Sequence, residues 1–200
     1  MTPDAAQAVR EGLALFALCW LLARAEIEIE GPHGWAVTLP TWRWGPEWFL
    51  NLTNGKEVTG YHVWLSLFLI GAMHLPLVYA GFSRALLAKC VSSYLLLTST
   101  WDLQWFAWNP AWGLAAFRSR PIPWFRRKLL GFPVDYYAAY AVSGLATWLI
   151  WSPGLKSWLV RVATLLAASV LSLVAAAILV KADGQGAEAA QTAAPNRAVR

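Results

Sequence analysis

Four apolar runs, over residues 61–82, 85–108, 134–151 and 158–180, set the terms on which this chain folds. A helix needs about 20 apolar residues to span the hydrocarbon of a bilayer, and each run meets or approaches that length. A further run, the first in chain order, lies between Arg10 and Arg24 and reaches it when counted over residues 5–25. The composition agrees: 58% of residues are hydrophobic, 14% are charged and 14 of 200 are Trp. Trp settles where hydrocarbon meets headgroups, and a soluble fold has little use for so many amphipathic rings. The sequence therefore predicts an all-α integral membrane protein of about five transmembrane helices, forming one membrane domain over residues 1–181. The tail at 182–200 is Ala, Gly, Gln and Asn with scattered charge, and is expected to be disordered. The first run also fits a signal peptide, with Ala23-Arg24-Ala25 as a small-x-small cleavage site. Asp4 and a single Arg make a poor n-region, which favours an uncleaved span.

The connections are unequal. Residues 26–60 open with Glu26-Ile27-Glu28-Ile29-Glu30, a strict alternation, followed by Gly-Pro-His-Gly and Trp35-Ala-Val-Thr-Leu39. This predicts a short β-hairpin capping the bundle, with three carboxylates on one face. The loop at 109–133 holds Arg118, Arg120, Arg126, Arg127 and Lys128 and no acid. It suits anionic lipid headgroups, at about 1 kcal/mol per close charge, and it offers partners for the glutamates. Ala139, Ser143 and Thr147 in the fourth run and Ala168, Ser172 and Ala176 in the fifth recur at small-residue spacing. Such stripes let helices approach closely; they predict a tight hairpin of these two helices, or contact with a membrane-protein partner or a second copy. The net charge of +5 is no nucleic-acid footprint, because the basic residues sit mostly in one loop and at helix ends. Cys19 and Cys90 read as small apolar fillers.

Threading the runs up and down brings polar groups to one level. The second run starts there with His62, the third ends there with Asp102 and Asn109, and the fourth starts there with Asp135 and Tyr136. Asp102 lies about 9 Å inside its helix end, among Trp101, Trp105, Trp108 and Trp112. An ionisable group at such depth costs up to about 2.5–3.5 kcal/mol on insertion scales and is a functional candidate by default. Asp102 is therefore the candidate acid or base, with His62 assisting. Glu26, Glu28, Glu30, Asn109, Arg118, Arg126, Arg127, Asp135 and Tyr136 are candidate binding residues. His62 with the glutamates and Asp102 offers metal-ligand types, but no ligand spacing signature accompanies them, so no metal is expected. His74 lies about 18 Å from His62 along the same helix, and no other run carries a His to complete a haem site, so no cofactor is expected either.

Several pieces resemble a family of small, uncharacterised prokaryotic polytopic membrane proteins: EIEIEGPHGWAVTLPTWR at 26–43, TGYH at 59–62, WDLQWFAWNPAWG at 101–113 and GFPVDYY at 131–137. The resemblance implies a shared architecture and brings no activity with it. Where that family carries an aromatic-His stretch, this chain has Pro123-Trp124-Phe125. On these grounds the leading expectation is an accessory or structural membrane protein whose polar cluster fixes the bundle or docks a partner. The alternative is an enzyme acting on a lipid or isoprenoid at the interface through Asp102, and a third reading is a small transporter.

Arg10, Arg84, Lys89, Lys156 and Arg161 lie toward one side, and the other eleven of the 16 Lys and Arg toward the other. The positive-inside rule places the second side in the cytoplasm of an inner-membrane protein, with the N-terminus outside. Cysteine labelling in intact cells should find positions 4 and 126 on opposite sides; both on one side would mean that a span was miscounted.

Overall fold

The computed structural model describes residues 2–53, 55–122, 125 and 127–180; Arg126 and the tail expected to be disordered lie outside these. Five long helices occupy the five apolar runs: α1 (Pro3–Glu30), α3 (Gly60–Tyr79), α4 (Arg84–Trp108), α6 (Val134–Trp151) and α7 (Leu155–Leu179). Two short helices, α2 (Glu47–Thr53) and α5 (Gly113–Ser119), lie in the connections. Strand β1 (Arg43–Trp44) pairs antiparallel with β2 (Val58–Thr59), and β3 (Lys128–Leu129) with β4 (Phe132–Pro133).

Among the described residues, apolarity and length single out two stretches able to cross a membrane, not five: Gly60–Tyr79, and Val134–Leu179, which joins α6 to α7 through the turn Ser152–Gly154. For α4 the reason lies in where it sits. Helix α4 runs through the middle of the bundle, packed against α1, α3, α6 and α7, and buries polar as well as apolar side chains, among them Ser92, Ser99, Thr100 and Gln104. Enclosed by protein, it has no need of a wholly apolar surface. The outer helices do the opposite. Phe68, Val78, Leu171 and Ile178 are each at least 70% exposed, a large apolar exterior of the kind that marks an interaction with membrane or protein.

The predicted β-hairpin at 26–39 does not form. Helix α1 continues through the Glu-Ile alternation to Glu30 and ends at Gly31, whose φ of 65° and ψ of −140° form a conformation open to glycine because it lacks a Cβ. The helical period overrides the alternation: of those five residues the three at helical spacing, Glu26, Ile27 and Glu30, face the core. Ala23, Glu26, Ile27 and Glu30 are buried, the i, i+3, i+4, i+7 stripe of one helix face, while Glu28 and Ile29 point outward. The expected tight pairing of α6 with α7 is also corrected. Ser143 accepts a hydrogen bond from Trp158 at 3.1 Å near the turn, but α6 packs chiefly on α4, and α7 chiefly on α1. Gly12 marks that second seam, since a Cβ there would lie 2.8 Å from the Arg161 carbonyl oxygen.

Polar clamps fix the helices at both ends. At one end Arg161, buried in α7, donates to Ser92 at 2.7 Å and Ser93 at 3.2 Å on α4, with Glu11 of α1 at 3.9 Å and Lys89 on the same carboxylate at 2.7 Å. Toward the other end, Ser172 donates to Gln104 at 2.7 Å and accepts from Trp108 at 2.9 Å. At the far end Asn109, 1% exposed, donates to the Gly31 carbonyl at 2.9 Å and accepts from the Ala111 N–H at 3.0 Å. Its side chain ties the ends of α1 and α4 together and does not line the cavity at this end. Asn109→Ala strands both backbone groups. A loss of about 2 kcal/mol is expected from the two unsatisfied partners, read as a drop of roughly 4–8 °C in the thermal midpoint of the detergent-solubilised protein. An unchanged midpoint would contradict the clamp.

Candidate functional site

The end of the bundle held by Asn109 encloses a cavity of about 350 Å³. Its polar lining comes from six parts of the chain: Glu26 and Glu30 of α1, Trp35 of the following turn, Lys56 just before β2, His62 of α3, Asp102 of α4, and Asp135 and Tyr136 of α6. Trp101, Trp105, Phe106 and Phe125 supply the apolar walls.

Each polar group is aimed by its neighbours. Glu26 and Glu30 lie one helical turn apart, so their carboxylates stack on the same face. Beyond Gly31 the chain turns back sharply, with Trp35 and Ala36 both in the left-handed region at φ 50° and 51°. Such residues cost about 1–3 kcal/mol each and persist only where the surroundings enforce them. Here the Ala36 N–H donates to Glu30 at 2.5 Å, Arg43 donates to the Ala36 carbonyl, and the Trp35 indole donates to the Glu57 carbonyl at 2.8 Å. Arg43 and Glu57 are themselves paired at 3.3 Å. The turn sets the Trp35 ring between two site residues, stacked on His62 at 4.1 Å and under the Lys56 ammonium at 3.9 Å.

His62 is placed by the start of α3. Gly60 lies against the Trp42 indole, where a Cβ would come within 2.4 Å of the ring nitrogen. Thr59 caps the helix by accepting from the His62 N–H at 3.3 Å, and its hydroxyl also lies 2.6 Å from His62 Nδ1. The other ring nitrogen, Nε2, faces Glu30 at 3.6 Å. Across the cavity the Tyr136 hydroxyl donates to Asp102, and among the described residues no other group is hydrogen-bonded to that carboxylate.

Charge is crowded here. Burial pushes the Glu30 carboxyl up to about 7, with nearby Asp102 adding to the rise and the Ala36 N–H opposing it. Glu26, likewise past the apolar run of α1, is raised by burial and then by Glu30 and Asp102. Burial lowers the Lys56 ammonium, while Asp102 and Asp135 pull it back up. Trp105, 3% exposed, lines the cavity with an indole N–H that meets no partner among the described residues.

The predicted site residues therefore separate. Asp102, His62, Glu26, Glu30, Asp135 and Tyr136 come together. Glu28 faces outward and pairs with Arg24 at 3.8 Å. Arg118 sits over the Phe132 ring at 5.9 Å, and Arg127 is exposed. Among the described residues no ion pair joins Glu26, Glu28 or Glu30 to the basic loop, because helical backbone replaces the strand meant to reach it. Sequence reasoning missed Lys56 and Trp35. The only signal for Lys56 was its position three residues before Thr59, the cap of the helix that carries His62.

Compared with protein-family models, with curated proteins and with solved structures, the chain matches none.

Proposed function

We propose that this is a polytopic membrane protein that binds a lipid-borne molecule in the cavity and acts on it by acid–base chemistry, with Asp102 as the proton-transferring group. The single observation that carries this reading is the cavity itself, about 350 Å³ beside Asp102 and lined by Lys56, His62 and Tyr136. A side chain serving only to lock helices together would have its polar atoms taken up by protein partners, as those of Asn109 are. Pockets that combine apolar walls with a few convergent polar groups are the usual form of small-molecule sites, and the free Trp105 N–H suits a ligand that brings an acceptor. Aromatic walls and an apolar exterior favour a substrate drawn from the membrane.

In this reading α1, α3, α4, α6 and α7 all cross the bilayer, and the cavity opens toward the cytoplasmic face of the inner membrane. Helix α4 crosses shielded by its neighbours, while α1, packed on α4 and α7, turns Leu13, Leu18 and Leu21 outward. Tyr136 holds the Asp102 carboxylate in place and stabilises its ionised form; Lys56, on the opposite wall, balances charge that develops on the ligand.

Lipid and metabolite profiling of a strain lacking the gene, complemented with variants, tests this. Asp102→Asn keeps the shape and one acceptor but cannot ionise. It is expected to lose at least a hundredfold in activity, as removal of a general acid or base does, with the protein still inserted and at normal abundance. Tyr136→Phe is expected to retain partial activity. Full complementation by Asp102→Asn would overturn the proposal in favour of a purely structural cluster.

A further inference from the structure

One wall of the cavity has a chemistry of its own. Glu26, Glu30 and His62 each place a donor atom so that all three lie within 4.8 Å of one another. Both glutamates are buried, at 8% and 4% exposure. Two carboxylates so close in a dry setting repel each other unless a proton or a cation lies between them. No Lys or Arg among the described residues forms an ion pair with either one, and the Lys56 ammonium is held over the Trp35 ring instead.

The imidazole shows the same preparation. In the tautomer whose Nδ1–H donates to Thr59 Oγ1, 2.6 Å away, Nε2 presents its lone pair to a Glu30 oxygen at 3.6 Å. Two lone pairs facing each other gain nothing from the contact, whereas an ion between them satisfies both. Metal-binding His residues are commonly fixed through the second ring nitrogen in this manner, and here stacking on Trp35 fixes the ring plane as well. The Ala36 N–H does the corresponding service for Glu30. Ligand bonds of about 2.0–2.2 Å put two donors on one ion roughly 3–3.5 Å apart, so the observed spacing needs only small side-chain rotations to close.

We propose that Glu26, Glu30 and His62 bind one divalent first-row transition-metal ion, whose remaining coordination positions face the cavity beside Asp102. The imidazole sets the class: carboxylates alone suit magnesium or calcium, whereas imidazole with carboxylate suits manganese, iron, cobalt or zinc. The ion would supply a Lewis acid opposite the Asp102–Tyr136 pair. The inference deepens the reading of the cavity as a working site, but metal binding is measured without any substrate.

The test uses the full-length protein, purified in detergent through an affinity tag free of histidine, stripped with a chelator and titrated with Co²⁺. One equivalent should bind, with visible ligand-field bands, and Mn²⁺ loaded in its place should show nitrogen coupling in pulsed electron paramagnetic resonance. Glu26→Gln, Glu30→Gln and His62→Ala should each weaken Co²⁺ binding at least tenfold, while Glu28→Gln and Asp102→Asn leave it intact. Failure of the wild-type protein to bind a stoichiometric ion, or binding without nitrogen coupling, would overturn the inference whatever the variants do. Absence of metal together with an inactive Asp102→Asn protein would remove the ion and leave the acid–base reading standing. A bound ion with a fully active Asp102→Asn protein would do the reverse.

Discussion

An apolar exterior leaves polar side chains only the seams between helices. That constraint shapes the whole molecule. With Phe68, Val78, Leu171 and Ile178 turned outward, hydrogen-bonding groups collect around α4, which every other long helix touches. In apolar surroundings an unpaired polar group is expensive, so each seam has to close on itself. The Arg161 clamp and the Gln104–Ser172–Trp108 chain do so in part, with partners on two or three helices, while Arg161 Nε and Gln104 Nε2 meet no hydrogen-bond partner among the described residues.

The cavity end follows a different logic. There the polar groups are oriented but not used up. Glu30 is held by a backbone N–H, His62 by Thr59 and Trp35, and Asp102 by Tyr136. Each retains bonding capacity toward a shared space. Two successive left-handed residues at Trp35 and Ala36 add local strain, which a structure keeps only where neighbouring contacts enforce it. Trp35 joins the two halves of that arrangement, its ring in contact with both the imidazole and the ammonium.

Much of this architecture was legible in the sequence because hydrophobic runs and proline or glycine stops are local signals. The apolar runs gave the long helices, and alternating threading put His62, Asp102 and Tyr136 at one end. What failed was an inference from period. Glu26 to Glu30 alternate in sequence, yet their burial follows the helix, because Ile27 and the two inner glutamates meet α4 and the cavity. A period of two in five residues cannot compete with a helix already running for six turns. Lys56 and Trp35 were hidden for another reason: loop side chains are placed by tertiary contacts, here the β1–β2 ladder and the Arg43–Glu57 pair. Asn109 looked like a site residue because it shares a polar segment with Asp102, but the chain leaves the helix at that point and turns its amide toward Gly31.

The central claim is that this end of the bundle is an open, water-reached cavity and not a sealed polar clasp. Ser66 on α3 lines it. The direct measurement is the reaction rate of Ser66→Cys, in a protein whose Cys19 and Cys90 are replaced by Ala, with a small charged methanethiosulfonate added to vesicles from either side. Rapid modification from the cytoplasmic side alone is the predicted result. A cysteine that reacts with lipid-soluble maleimide but resists the charged reagent from both sides would contradict it.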